Sequence, residues 1–357
     1  MTKKTKARLL LAGLSFCVLL AGLVFAWNRS SQPEELSVFA MGSYVKQTVW
    51  GGQQSAQTAA AKITQLENLI SWRRESSDVF RLNQQAGKGP VELSPGSREV
   101  LERALELCEK SGGALDITLG PVTRLWNFDN DPHLPNAEEL KEALAQVDYR
   151  NLLTGAEACR ALFHGEVSEN SGALANSGML VDLGALGKGA ACDAAIAAYQ
   201  ETGARRAVVA VGGSVGLYGQ KPQPWQVAVR DPGSQGSLGV LELAGGFVST
   251  SGSYEKFFEE EGGTYCHLLD PRTGYPAESG LVSVTVWHPE SGLLSDGLAT
   301  ACFVLGLEDS LPLLESFHAE GIFVDEAGSF FVSPGLAHRF HLSPDSGYRQ
   351  QDWPKGG

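Results

Sequence analysis

Val181-Asp182-Leu183-Gly184-Ala185-Leu186-Gly187-Lys188-Gly189 is the stretch on which the fold turns. It reads as a hydrophobic strand entering a glycine-rich turn with one lysine, a geometry that brings backbone close to an anionic ligand. More than a hundred residues later comes Ser295-Asp296-Gly297-Leu298-Ala299-Thr300. On a helix, Asp296 and Thr300 share one face, a turn apart. A carboxylate and a hydroxyl so placed suit Mg²⁺, which keeps few protein ligands and takes the rest from substrate and water.

Working outward, the spacing predicts a helix over Gln57 to Ile70, with Ile63, Leu66 and Ile70 on one face. A second spans Pro95 to Lys110 and stops at Gly112-Gly113. Asn136 caps a third that runs through Leu140, Leu144 and Val147. The glycine turn opens a fourth over Ala190 to Gln200, closed by Gly203, and a last helix covers Ser295 to Leu305. Strands are expected at Ala207 to Val211, Trp225 to Val229, Val240 to Leu243 and Leu281 to Trp287, the last with alternating Val282, Val284 and Val286. Helices broken by hairpin-spaced strands make an α+β domain, not a regular doubly wound sheet. Neither a dinucleotide-binding GxGxxG nor a P-loop is present.

Composition narrows the function. The 357 residues carry a net charge of −13, and the basic residues Lys3, Lys4, Lys6 and Arg8 sit at one end, so the body is more acidic still. Such a surface repels nucleic acid, and no basic stripe offsets it. The 42 glycines exceed the usual share of about 7% without any repeat period, which points to tight turns and close backbone approach. Six cysteines, Cys17, Cys108, Cys159, Cys192, Cys266 and Cys302, match neither a zinc pattern nor a disulfide framework and read as small hydrophobes.

After the basic residues 1–8, Leu9 to Trp27 carries no charge. At about 1.5 Å per residue this segment reaches about 28 Å, close to the thickness of a bilayer's hydrocarbon core. The basic flank sets the N-terminus inside and the remainder outside. The expected organisation is a cytoplasmic segment 1–8, a transmembrane anchor or signal segment 9–27, a linker 28–35, a domain over 36–343 and a polar, loosely held tail over 344–357. Val24 and Ala26 leave signal-peptidase cleavage open. Cys17 follows Phe16 in mid-run, which argues against lipidation.

Further blocks stand in order: Met41-Gly42-Ser43; Ser111-Gly112-Gly113-Ala114-Leu115-Asp116-Ile117-Thr118-Leu119-Gly120-Pro121 with Leu125-Trp126-Asn127-Phe128; Ser249-Thr250-Ser251-Gly252-Ser253-Tyr254; and His267-Leu268-Leu269-Asp270-Pro271-Arg272-Thr273-Gly274-Tyr275-Pro276. With the two segments above, this set resembles the ApbE family of FAD:protein FMN transferases over roughly Leu36 to Phe340. The resemblance implies a single ApbE-like (T-fold-like) catalytic domain behind the anchor. It implies Mg²⁺ on Asp296 and Thr300, with carbonyls of Ala185 and Ala299. It implies FAD contacts at Met41, Trp72, Ala114, Leu115, Asp116, Asp182, Lys188 and Leu269. Trp72 suits a flat ring partner, and Lys188 a phosphate. Many relatives carry an aspartate after the Gly212-Gly213 pair, where this chain has Ser214.

His267 is the titratable group best matched to general-base work near neutral pH. Asp270 is expected to cap the Pro271-Arg272-Thr273-Gly274 turn. The implied reaction moves FMN from FAD to a threonine hydroxyl and releases AMP. The implied acceptor carries an Asp-Gly-x-Thr-type motif, as in membrane electron-transfer subunits, and the catalytic domain would lie outside the bacterial cell membrane on a single-pass anchor. Asp296-Gly297-Leu298-Ala299-Thr300 is one residue too long to be that motif. Two alternatives stay open: an FAD pyrophosphatase giving FMN and AMP, and a flavin-binding protein without turnover.

Overall fold

The structure, a computed structural model, describes residues 32–155, 173–344 and 346–354. A hairpin opens it: β1 (Glu34–Ala40) and β2 (Ser43–Trp50) are joined by Met41 and Gly42, at φ 56° and 66°. Positive φ at both central residues is what a two-residue type I′ turn demands. Next come α1 (Ser55–Ile70), α2 (Asp78–Gln84), α3 (Pro95–Lys110), α4 (Gly120–Trp126) and α5 (Ala137–Leu144). Ser94 and Asn136 cap α3 and α5 through their side chains, as their residue types favour.

A small ladder, β3 (Leu153–Thr154) with β4 (Ala173–Leu174), precedes α6 (Gly184–Glu201). Seven strands follow: β5 (Arg206–Val211), β6 (Ser214–Tyr218), β7 (Trp225–Arg230), β8 (Ser237–Leu243), β9 (Gly246–Gly252), β10 (Phe257–Glu260) and β11 (Gly263–Cys266). The chain ends with β12 (Leu281–His288), α7 (Gly292–Leu305), α8 (Leu307–Ser316), β13 (Glu320–Asp325), β14 (Ser329–Val332), β15 (Phe340–Leu342) and β16 (Arg349–Gln351).

Among the described residues the strands form a nine-stranded sheet in the order β1-β2-β5-β6-β9-β12-β13-β14-β16. Only its last pair, β14 with β16, is parallel. A three-stranded sheet, β15-β8-β7, covers one face, where Leu217, Val248, Ile322 and Phe330 meet Trp225, Val227, Leu238 and Leu241. Helices cover the other face. There Leu186, Leu298 and Phe303 are fully or almost fully buried, each contributing about 1.5–3 kcal/mol relative to exposure. This is a mixed α/β arrangement of three layers.

The structure departs from the sequence expectations in four places. The Gly187-Lys188-Gly189 segment is not a turn: α6 begins at Gly184, so these residues lie inside its first turns. The reason is packing, because a Cβ at Gly189 would stand 1.9 Å from the Gly292 carbonyl oxygen of α7. The run before it is no regular strand either; Leu180 forms one isolated bridge with Leu119, and the Asn83 side chain holds both backbone groups of Val181. On β12 a register shift between Leu281 and Ser283 sends Val282 to the small-sheet side, while Val284 and Val286 face the helices. The polar segment after Ser343 supplies β16, and Trp353 beyond it packs edge-on to Phe323.

No helix among the described residues is long and apolar enough to cross a membrane. The expected anchor, Leu9 to Trp27, lies outside the described residues, as do Cys17 and Cys159. The other four cysteines are buried free thiols. Burial pushes Cys108 and Cys302 up to about 12, with Cys192 and Cys266 also raised, so all four are inert hydrophobes.

Candidate active site

The centre of the site is the crossing of α6 and α7. Small residues let the two backbones meet, since Gly292, like Gly189, has no room for a Cβ. Ser291 caps α7 through its hydroxyl, and Asp193 of α6 accepts the N–H groups of Gly292 at 2.6 Å and Leu293 at 2.9 Å. Asp193 therefore fixes the start of α7 to α6, a positioning role that its place in an alanine-rich run conceals. With Ser291 as cap, Asp296 is free of capping duty and stands a turn further in, 2% exposed.

Asp296 Oδ2 accepts the Gly189 N–H at 2.9 Å, and Oδ1 faces the Lys188 ammonium at 3.6 Å. The Asp296 charge raises the Lys188 pKa above the ordinary lysine range, against the opposing effect of burial. One turn along α7, the Thr300 hydroxyl meets Ser251 of β9 at 3.2 Å. Ser214 and Ser249, paired across β6 and β9, are each 1% exposed, and their hydroxyls have no hydrogen-bond partner among the described residues. Glu255 joins this group: desolvation raises its pKa, with Lys188 lowering and Asp296 adding to it, although the residue is exposed in part.

These residues fit a hard cation. Among the described residues no cluster of three or more His, Cys, Asp or Glu side chains could hold a metal. A cation here would rest on one carboxylate, hydroxyls, carbonyls and substrate oxygens, which is the way Mg²⁺ is held. Ala185 lies in the first turn of α6, and the Gly189 N–H, the regular helical partner of its carbonyl, donates to Asp296. Ala299 is fully buried in the middle of α7, where the helical ladder already uses its carbonyl.

The expected flavin contacts surround this centre. Met41, held left-handed at the hairpin tip, comes close to Gly187, with its Cε 3.2 Å from where a Cβ there would stand. Segments 114–120 and 180–184 run side by side through Asp182 N–H to Ile117 O and Gly120 N–H to Leu180 O. Ala114 and Leu115 are buried, so their backbone is what they can offer a ligand. The Asp116 carboxylate is committed inward: Oδ1 accepts from Thr118 N–H and hydroxyl, and Oδ2 from Tyr149 N–H. Asp182 stays half-buried and accepts only the Gly184 N–H, at 2.9 Å, among the described residues. Leu269 is 6% exposed and packs in a separate cluster with Val122, Trp126 and Leu140.

Trp72 lies at the rim, its indole Nε1 buried without a hydrogen-bond partner among the described residues and Arg73 4.3 Å above its ring. Asp129 pairs with both Arg73 and Lys256, which joins three loops across the mouth of the site. No local sequence pattern links the three, since Asp129 and Lys256 look like ordinary surface charge. His267 sits behind it, edge-on to Phe128, with ring nitrogen Nδ1 buried and unpartnered among the described residues. Burial, with the Lys256 and Lys188 charges, pushes its pKa down to about 4, so the imidazole is neutral at neutral pH. Asp270 caps its turn as expected, accepting the Arg272 N–H at 2.8 Å.

A neutral imidazole, a buried carboxylate with hydroxyls, and a tryptophan whose Nε1 is buried and unpartnered are thus the groups these segments bring together among the described residues. Residues 41–323 match the family model described as ApbE family. The FAD:protein FMN transferase of Treponema pallidum is 34% identical over 322 residues, covering 85% of this chain and 87% of that protein. That of Klebsiella pneumoniae is 30% identical over 311 residues, covering 83% and 86%. Among solved structures, the ApbE protein of Thermotoga maritima matches with a TM-score of 0.77 at 29% identity, over 86% of this chain and 99% of that one. The flavin transferase ApbE from Vibrio cholerae matches at 0.73 and 26% identity, over 87% and 99%. The chain belongs to the ApbE family and is an enzyme of the FAD:protein FMN transferase class.

Proposed function

We propose that the chain transfers FMN from FAD to a threonine hydroxyl of an acceptor protein, with Mg²⁺ required and AMP released. The observation that carries the reading is the Asp296 carboxylate, buried between two helices with Lys188 on one oxygen and Thr300 a turn away. Mg²⁺ would be held by Asp296, Thr300 and the Ala185 carbonyl, and when bound it neutralises charge on the pyrophosphate.

The remaining roles fall to the chain's own groups. Trp72 offers its ring face and Nε1 to the flavin, and Asp182 a carboxylate acceptor. The acceptor hydroxyl attacks the phosphorus nearest the riboflavin, and the bond from that phosphorus to the bridging oxygen breaks. AMP leaves with the electron pair, and His267 takes the hydroxyl proton. The acceptor would carry an Asp-Gly-x-Thr-type motif in a membrane electron-transfer subunit, reached because Leu9 to Trp27 tethers the domain outside the cell membrane.

Incubation with FAD, Mg²⁺ and a motif-bearing acceptor, read by intact mass, tests the reading. An acceptor heavier by one FMN unit less water supports it. FMN and AMP appearing without modified acceptor would make the chain an FAD pyrophosphatase instead.

A further inference from the structure

Lys188 and Gly189 are adjacent on the first turns of α6, and both meet the same carboxylate. The backbone of Gly189 fixes Asp296 Oδ2 at 2.9 Å, whereas Lys188 reaches Oδ1 from the end of a flexible stem at 3.6 Å. One contact is rigid and the other can be exchanged. The lysine side chain is 27% exposed, against 2% for Asp296, so of the two partners it is the one in reach of solvent. Its stem runs past Gly212, where a Cβ would stand 3.2 Å from the lysine Cδ. A side chain at Gly212, whose φ is 54°, would crowd that stem and the Ser43 hydroxyl, 2.9 Å from the same point.

A divalent cation needs the oxygen that Lys188 now faces. Two positive charges cannot share that oxygen at close range without strong repulsion. A lysine ammonium is a compact charge on a rotatable chain, able to turn from a carboxylate to a phosphate.

Resting on the flavin-transferase reading above, we propose that Lys188 is a placeholder for the cation. It neutralises Asp296 whenever no cation is bound and moves to the pyrophosphate when the cation arrives. Cation and dinucleotide then bind cooperatively, because the pyrophosphate takes up the ammonium that the cation displaces, and in taking it frees the carboxylate for the cation. By reciprocity each tightens the other by the same factor, in the range of about 5- to 150-fold usual for coupled sites. Lys188 is thus a positioning residue for metal loading as well as a phosphate contact.

Calorimetric titration of the full chain with Mg²⁺ alone, with ADP alone and with both tests this, ADP presenting the same pyrophosphate without a flavin to transfer. The parent should bind Mg²⁺ weakly and gain about tenfold on adding ADP. Lys188→Met should bind Mg²⁺ alone about tenfold more tightly than the parent, bind ADP alone more weakly, and show reduced coupling. Lys188→Arg, keeping the charge, should stay parent-like with Mg²⁺ alone. A structural defect would weaken Mg²⁺ binding, so the gain separates the two explanations; Lys188→Gln serves if the methionine variant misfolds by circular dichroism. Unchanged or weaker Mg²⁺ binding in a folded neutral variant overturns the placeholder role. Asp296→Asn keeps the readings apart: if it binds Mg²⁺ like the parent, the cation site itself is elsewhere.

Discussion

The Gly189 N–H and the Asp296 carboxylate meet at 2.9 Å across the crossing of two helices whose backbones are in contact. This bond exists only because position 189 lacks a side chain: a Cβ there would lie 1.9 Å from the Gly292 carbonyl oxygen and 2.7 Å from Asp296 Cβ. Fold and site therefore rest on the same glycine.

Gly189→Ala should cost at least about 1–3 kcal/mol, the usual penalty for overpacking, despite alanine's better helix propensity. Gly187→Ala is the control. Its Cβ would meet the flexible end of Met41 at 3.2 Å and Ile70 at an ordinary 3.9 Å, so the helix-propensity gain of about 1 kcal/mol should roughly offset the contact. Urea unfolding of the two variants should place them well apart. Equal midpoints would show that the helices can separate without loss.

At the carboxylate, charge and shape can be separated. Asp296→Asn keeps an oxygen to accept the Gly189 N–H but loses the charge that draws in Mg²⁺. It should fold, need far more Mg²⁺ and lose transfer even where FAD still binds. Thr300→Ala should be milder, because a neutral hydroxyl is a weaker ligand and Ser251 stands 3.2 Å away to hold water in its place. Initial rates across a Mg²⁺ series give the order of severity, and a parental profile for Asp296→Asn would move the site elsewhere.

Helices with a clean apolar stripe were legible in the sequence: α3 has the expected bounds, and α5 starts at the expected cap. Helical spacing was enough to put Asp296 and Thr300 on one face of a helix, but only the family resemblance made them candidate cation ligands. What escaped were features set by tertiary contact. Gly187 and Gly189 look like a turn because glycine disfavours helices, yet at Gly189 close packing against α7 outweighs propensity. No local pattern shows that the Asp116 carboxylate accepts from Thr118 and Tyr149, the latter 33 residues away. The Arg73–Asp129–Lys256 bridge joins positions that no local pattern connects.

The uncharged run from Leu9 to Trp27 and the basic residues before it lead to a separate expectation. Full-length protein should sediment with membranes and resist high-salt extraction, since an embedded segment is held by apolar burial and not by charge. A soluble mature form beginning near Trp27 would show cleavage by signal peptidase.

His267 offers a test in which structure and mechanism give separate signals. Its folded pKa, about 4, lies below the ordinary value near 6.5, so above pH 6.5 the ring is neutral whether the chain is folded or not. Between about 6.5 and 4 the unfolded chain takes up a proton that the folded one refuses. Stability must therefore fall as pH falls through that window, by up to one proton's worth of slope from this group. His267→Gln should flatten that part of the curve, measured by urea unfolding from pH 7 to 4, and leave stability above pH 7 little changed. The mechanistic signal is independent: His267→Ala should bind FAD nearly normally yet transfer FMN about 10²- to 10⁴-fold more slowly. An anionic pyrophosphate nearby favours the charged ring, so the His267 resonance followed by NMR should titrate higher with ADP bound than without. A flattened stability curve with an unchanged transfer rate would make His267 a buried structural group and assign the proton to another acceptor.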